Sequence, residues 1–479
     1  MAAEHQHFLT LDNINPNVQK IQHPARGPLL IIAVELEKEL KNGVKKPFKE
    51  VIKPVVADFQ AMGQPPITFV RQVMSIVIYP QLLDDPKFPD DAKERARTIL
   101  NGCKGGSIGS YTEASGIEII RRHVAEFIGK RDGIPSNWED IILCAGDGIG
   151  KLLKLFSKEA NGKKTGVMIP IPEYPLYSIL SNEYDLHQVG YYLDESQNWR
   201  INTEELQQSI DEAKKVCIPK VLVIINPGNP TGQVLTRENI EEIIKFAYKE
   251  NLYLLADEVY QNNIYLEDFK FHSFKKVMTE MGEPYNSMEL ASFMSCSKGY
   301  ICECGCRGGF AEILNMCPEV KVVFNKSNTV MLCPPTAGQA CVELLVRPPE
   351  KGEPSYEQFI KEKKAVLDSL REGAHLIVKT LNSFEGVSCN NIQGAMYAFP
   401  QIRFPQKAIE AAKKQHQSPD KLYAIEMLEN AGICVVPADG LGQVSGTYHF
   451  RTTLIPIQKM KIMLDRLEAF HREFMDRYR

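Results

Sequence analysis

The run Val221-Leu222-Val223-Ile224-Ile225, followed at once by Asn226-Pro227-Gly228-Asn229-Pro230-Thr231-Gly232, decides the architecture. Five apolar, mostly β-branched residues read as a strand buried on both faces, and the Asn/Pro/Gly cluster behind them stops it. The pattern recurs downstream. Leu252 to Ala256 ends at Asp257-Glu258, and Leu290 to Ser295 leads into Ser297-Lys298-Gly299. Between the first two strands Thr236 is a natural N-cap, and Ile240, Ile243, Ile244 and Ala247 recur at i, i+3, i+4 and i+7 as one buried helical stripe. A second helix is expected from Ile117 to Ile128, with Ile117, Ile120, Val124 and Phe127 inward and Glu118, Arg121 and Arg122 facing water. Strands alternating with helices over residues 100–340 predict an α/β fold built on a mostly parallel sheet covered by helices.

Pro334-Pro335 and the Pro-rich stretch from Arg347 to Pro354 close this region. At 479 residues the chain exceeds the roughly 250 to 300 that one core sustains. Four parts are expected: an N-terminal arm with no core of its own (residues 1–45), the N-terminal part of a small domain with its connection (46–100), a large domain (101–345) and a C-terminal small α+β domain (346–479). The last should hold helices near 356–380 and 418–431, strand-like runs at Ala395 to Phe399 and Ile433 to Val436, and a final helix from 457.

Composition excludes several functions. With 56 Lys+Arg against 60 Asp+Glu the net charge is −4, so the basic excess of a nucleic-acid binder is missing. The longest apolar stretches, such as Leu29 to Val34, fall far short of the ~18 residues of a membrane span. The 12 Cys are scattered, and the opening MAAEHQHFLTLDN has neither a basic start nor an apolar run. Glu4 and Asp12 precede the first arginine, Arg26, which is unlike an import presequence. A cytoplasmic protein with reduced thiols is expected.

In open α/β sheets ligands sit beyond the carboxyl ends of the strands, so Asn229, Asp257 and Lys298 should meet in one crevice. Pyridoxal 5'-phosphate needs all three kinds of group. A lysine amine bonds to its aldehyde, a carboxylate keeps its pyridine nitrogen protonated, and an amide and a phenol, here Asn229 and Tyr260, can hydrogen-bond its ring hydroxyl. A lysine after a strand is ordinarily solvated, and Pro and Gly are ordinary turn punctuation; neither reading accounts for complementary chemistry at three strand ends.

For the phosphate, Cys144-Ala145-Gly146-Asp147-Gly148 precedes a helical pattern (Ile149, Leu152, Leu153, Phe156), so backbone amides around Ala145, Gly146 and Asp147 are expected to face an anion. The segment is neither GxGxxG nor a P-loop, since Leu152 follows Gly150-Lys151 where Ser or Thr is required. Ser295, Ser297 and Arg307 flank Lys298 and could complete the site. Arg451, in an apolar strand-like setting, suits a substrate carboxylate. Cys302, Cys304 and Cys306 alternate every second residue, unlike the usual CxxC zinc spacing, and no HExxH occurs, so no metal site is expected.

Asn226 to Gly232, Ala256-Asp257-Glu258-Val259-Tyr260, Ser297-Lys298-Gly299 and Arg307-Gly308-Gly309 together resemble the class I/II pyridoxal-phosphate aminotransferases of fold type I. Arg26-Gly27-Pro28, AMGQPPITFVRQV from Ala61, Tyr111-Thr112-Glu113-Ala114-Ser115-Gly116, IPIPEYPLYS from Ile169, QGAMYAFPQI from Gln393 and GTYHFRTT from Gly446 resemble that family's alanine aminotransferase branch. The resemblance implies a seven-stranded, mostly parallel sheet, with Lys298, Asp257 and Tyr260 catalytic. It implies cofactor contacts from Asn229, Tyr174 (stacked on the ring), Ala145, Gly146, Asp147, Ser295 and Arg307. Tyr111 would reach the phosphate of a neighbouring subunit in a homodimer with shared active sites. Arg451, Asn229 and Gly27 would bind substrate, and the reaction would be reversible exchange between L-alanine with 2-oxoglutarate and pyruvate with L-glutamate. A class I aminotransferase for kynurenine, aromatic or branched substrates, a lyase on the same scaffold, and a binding protein without turnover are the alternatives.

Overall fold

A computed structural model describes residues 9–21 and 27–479. Its main sheet contains β1 (Ile141–Cys144), the two-residue β2 (Glu159–Ala160), β3 (Lys163–Ile171), β4 (His187–Tyr192), β5 (Ile218–Ile225), β6 (Tyr253–Asp257), β7 (Leu290–Ser295) and β8 (Gly309–Leu314). Seven of these run in the order β1-β8-β7-β6-β5-β3-β4, and β2 adds an eighth as a hairpin partner of β3. Strands β4, β3, β5, β6 and β7 are mutually parallel, and β8 lies antiparallel to both β7 and β1.

Both faces of the sheet are buried at its centre, which explains the near-continuous apolar runs of β5, β6 and β7. Val221, Val223 and Ile225 of β5 pack with Leu152, Leu153, Tyr177 and Phe324 on one side. Leu222 and Ile224 pack on the other, where Leu206 and Ile210 of helix Thr203–Val216 and Ile240, Ile243 and Ile244 of helix Arg237–Lys249 cover them. Thr236 caps the second helix by accepting from the Asn239 amide at 3.2 Å.

A smaller sheet is formed by β10 (Tyr397–Ala398), β12 (Val436–Pro437) and β13 (Phe450–Thr453), with β13 central, while β9 (Val387–Ser388) pairs with β11 (Gln401–Ile402). Around them lie helices Tyr356–Leu381, Pro419–Ala431 and Ile457–Tyr478. Residues before the main sheet join this part: Ile52 bridges to Ile433, and the Thr453 amide donates to the Pro54 carbonyl at 2.9 Å.

Two expectations are corrected. Residues 28–41, placed in an arm without a core, form helix Pro28–Lys41, whose Leu29, Ala33 and Leu36 are buried at i, i+4 and i+7. Proline in its first turn suits a helix start. Arg121, expected to face water in helix Glu118–Asp132, is only 9% exposed. Its guanidinium lies 4.7 Å from the Trp138 ring centroid, so a flat aromatic surface replaces water along its length. No helix among the described residues is long and apolar enough to cross a membrane.

Candidate active site

The register across β5, β6 and β7 aligns Ile225 with Asp257 and Asp257 with Phe293, so these strands end at one level. Asn226, Asp257 and the turn after Ser295 therefore open onto the same crevice. Asp257 is 3% exposed. Its Oδ2 accepts from the Tyr177 hydroxyl at 2.9 Å, while its Oδ1 is buried with no hydrogen-bond partner. Burial raises the carboxyl to about 6, against the opposing pull of the Tyr177 hydrogen bond, the Val259 amide and the Lys298 charge. An orphaned carboxylate oxygen in such a place has acceptor capacity for a donor that a ligand brings.

Lys298 Nζ lies 5.8 Å from the Tyr260 ring centroid. Burial opposes its ammonium, but the groups around it, Tyr397, Cys304, Tyr174 and Cys302, favour it and leave the amine above its ordinary value. The Tyr260 and Tyr397 hydroxyls are 2.9 Å apart, with the rings edge to face. Tyr174 is half-buried and meets Tyr177 edge to face, centroids 6.2 Å apart.

Arg451, on the central strand of the small sheet and 4% exposed, reaches across to the crevice. Its Nη1 donates to Asn229 Oδ1 at 3.2 Å and its Nη2 to the Val55 carbonyl at 2.7 Å. Its Cζ lies over the Tyr397 ring, 4.7 Å from the centroid, and its Nε is buried without a partner. A cation held against a phenol face and an amide, with donor capacity to spare, is prepared for an anion.

At the other side of the crevice Arg307 donates to the Ala145 carbonyl at 3.0 Å and to the Cys304 carbonyl at 2.9 Å. Gly146 has φ +98°, and a Cβ there would lie 2.5 Å from Arg307 Nη2. Ser295 Oγ accepts from the Ser297 amide at 3.1 Å. The turn differs from expectation at one donor. The Ala145 amide is already satisfied by Asp147 Oδ1 at 2.9 Å, and Asp147 is paired with Lys151 at 2.9 Å. The helix behind it, Gly148–Leu153, runs only six residues before a 3-10 turn. Asp147, an acidic residue within reach of its own loop amide, competes for the donors an incoming anion would use.

Two predicted residues stand outside this grouping. Tyr111 is 68% exposed. Gly27 is the N-cap of helix Pro28–Lys41, and its neighbour Arg26 lies outside the described residues. Sequence reasoning missed Tyr177, Tyr397 and the Val55 carbonyl. A signal existed for both tyrosines: Tyr177 lies three residues after Tyr174 on a helical turn, and a buried phenol in a β run, as in Ala395 to Phe399, needs a polar partner.

The sequence profile described as aminotransferase class I and II matches residues 81–467. The chain belongs to this family. It is 54% identical to a Xenopus laevis protein named alanine aminotransferase 2, over 98% of this chain and 88% of that one. It is 50% identical to Homo sapiens alanine aminotransferase 1, covering 98% and 96%. A Dictyostelium discoideum protein named as a probable mitochondrial alanine aminotransferase is 44% identical, covering 99% and 91%. Among solved structures, an alanine aminotransferase from Pyrococcus furiosus superposes with TM-score 0.74 at 22% identity, over 96% of this chain and all (100%) of that one, a likeness of fold.

Aminotransferases of this family use pyridoxal 5'-phosphate, and the crevice fits it. The unpartnered Asp257 Oδ1 suits a protonated pyridine nitrogen, the half-buried Lys298 amine suits an aldehyde, and the Gly146 turn leaves room for Arg307 beside an anion.

Proposed function

We propose that the protein is an alanine aminotransferase, exchanging an amino group reversibly between L-alanine with 2-oxoglutarate and pyruvate with L-glutamate by a ping-pong cycle. The similarity to curated alanine aminotransferases, 54% and 50% identical over 98% of this chain, carries the choice of substrate. The orphaned Asp257 Oδ1, on a carboxylate that feels the Lys298 charge, supports the chemistry.

When bound, pyridoxal phosphate supplies an electron sink for the pair left when a substrate Cα–H bond breaks. Asp257 Oδ1 would accept the pyridine N–H, while Tyr177 fixes the other oxygen. Asn229 and Tyr260 would hold the ring hydroxyl, and Tyr174 would cover the ring. Arg307 and Ser295, with the amides of Gly146 and Asp147, would hold the phosphate. Arg451 binds the substrate carboxylate with Asn229 beside it, which aims the Cα–H bond at Lys298. The Lys298 amine would take the proton from the substrate Cα and hold it for return. In this reading residues 101–345 form the cofactor domain, residues 346–479 carry the carboxylate clamp, and substrate lies between.

The exposure of Tyr111, 68%, supports a homodimer in which this phenol reaches the phosphate site of a second copy. A cytoplasmic location belongs to this reading, and cell fractionation decides it.

The test of function is the absorbance spectrum of the cofactor-loaded protein before and after L-alanine, with pyruvate assayed when 2-oxoglutarate is present. A spectral change with alanine and sustained pyruvate release are expected. A response to other amino acids alone would move the substrate assignment, and no cofactor band would remove Lys298 from its role.

A further inference from the structure

Cys306 ends the short turn Cys304–Cys306 immediately before Arg307, and Cys341 lies in helix Thr336–Val346. The two segments meet backbone to backbone. A Cβ on Gly308 would sit 2.2 Å from the Gly338 carbonyl oxygen, and one on Gly338 would sit 2.8 Å from the Cys306 carbonyl oxygen. Only glycine at both positions permits that approach. Cys341 follows Gly338 by three residues, on the same helical face, and its thiol interacts with both the Cys306 and Cys296 thiols. The Met74 sulfur is 4.0 Å away, so the pocket is rich in sulfur.

The thiols differ in access. Cys341 and Cys296 are each 0% exposed, whereas Cys306 is half-buried. Contact with Cys341, aided by the Arg71 charge, holds the Cys306 thiol below its ordinary value despite burial and Glu303. A partly accessible thiol backed by a buried thiol is the arrangement of an attacking and a resolving cysteine.

We propose that Cys306 and Cys341 form a reversible disulfide when the protein meets a hydroperoxide. The Cys306 thiolate attacks a peroxide oxygen, and the O–O bond breaks. With hydrogen peroxide the leaving hydroxide takes the thiol proton as water and Cys306 becomes a sulfenic acid. The Cys341 sulfur then displaces the sulfenic hydroxyl, which leaves as a second water with the Cys341 proton. Two thiols are oxidised by two electrons, and one peroxide is reduced to two waters. The bond ties the turn that carries Arg307 to helix Thr336–Val346. The inference stands apart from the transaminase reading, because it concerns groups that reading does not use.

The test is peptide mapping of the full-length cofactor-loaded protein after hydrogen peroxide, alkylation and digestion without reductant. A peptide linking Cys306 to Cys341 is expected, disappearing after dithiothreitol. Cys341→Ser should abolish it and leave Cys306 open to dimedone, the sulfenic acid trap. Cys306→Ser, at the more accessible position, should leave Cys341 as a free thiol. Cys389→Ser should keep the linked peptide. Oxidised protein with no such link, or dimedone labelling that appears on other cysteines and never on Cys306 in Cys341→Ser, would overturn the proposal.

Discussion

The Tyr177 hydroxyl holds one oxygen of Asp257 at 2.9 Å and leaves the other, Oδ1, buried without a partner. The arrangement orients the carboxylate but does not satisfy it, so the protein without cofactor carries a cost that the ligand relieves.

That cost has a direction in pH. Burial raises the Asp257 carboxyl from 3.8 to about 6, so over this window the folded protein binds a proton that the unfolded chain has released. Stability from this group is full below 3.8 and is lost as pH rises to about 6. Asp257→Asn removes the titration. The cofactor-free variant should be more stable than the parent above pH about 7, by up to ~3 kcal/mol, and gain little in acid. Denaturant unfolding at two pH values checks this; equal stability changes at both would refute it. Transamination by the variant should be largely lost.

Tyr177→Phe removes a hydrogen bond to the charged form of Asp257. Such bonds are worth about 1.5–3 kcal/mol, so the carboxyl should rise by a further 1 to 2 pH units, roughly. In the cofactor-free protein the pH range over which Asp257 costs stability should extend upward by that amount, read by denaturant unfolding. An unmoved range would mean that the Tyr177 bond does not act on this carboxyl.

How much of this was legible in the sequence follows from what each residue buries. β5, β6 and β7 were readable because apolar runs covered on both faces leave no ambiguity of period, and β7 has the same limits, Leu290 to Ser295, in sequence and structure. Asn229, Asp257 and Lys298 were readable because strand ends in register gather whatever polar residues follow them. Arg121 was misjudged because charge outweighs packing in a periodicity argument, and an aromatic face beneath the guanidinium leaves no local mark. Tyr177 reads as helix core until its hydroxyl is placed against a carboxylate from a strand 80 residues away. The satisfied Ala145 amide depended on one Asp147 rotamer, which no pattern specifies.

Arg451→Lys keeps the charge but loses the planar fork. Its bonds to Asn229 Oδ1 and the Val55 carbonyl and its stack on Tyr397 cannot all be remade by an ammonium. Loss of one charged hydrogen bond to substrate should lower kcat/KM for alanine by about 10- to 150-fold. Cofactor uptake, followed by absorbance, should be unchanged; weakened uptake would place Arg451 in the cofactor site instead.

Lys298→Ala removes the only amine that the proposed proton transfer uses. The variant should still bind the cofactor through Asp257, Arg307 and the ring contacts, without the absorbance of the lysine-bound form. It should release no pyruvate from alanine. Turnover within tenfold of the parent would exclude Lys298 as the base, since a positioned base contributes about 10²–10⁴-fold.

Gly146→Ala tests the phosphate end of the crevice without replacing a charged group. Gly146 sits at φ +98°, and the added methyl would lie 2.5 Å from Arg307 Nη2, closer than atoms can pack. Backbone strain should cost about 1–2 kcal/mol of stability. The larger effect should be on Arg307, which must leave the Ala145 carbonyl and swing out. If Arg307 holds the phosphate, cofactor affinity should fall by about tenfold or more, the loss of one charged hydrogen bond, while the variant stays folded. Equilibrium titration of the cofactor-free variant measures this directly. Unchanged affinity would mean that the phosphate is held elsewhere, by Ser295 and the Ser297 turn, and that Arg307 serves only to bind Ala145 to Cys304.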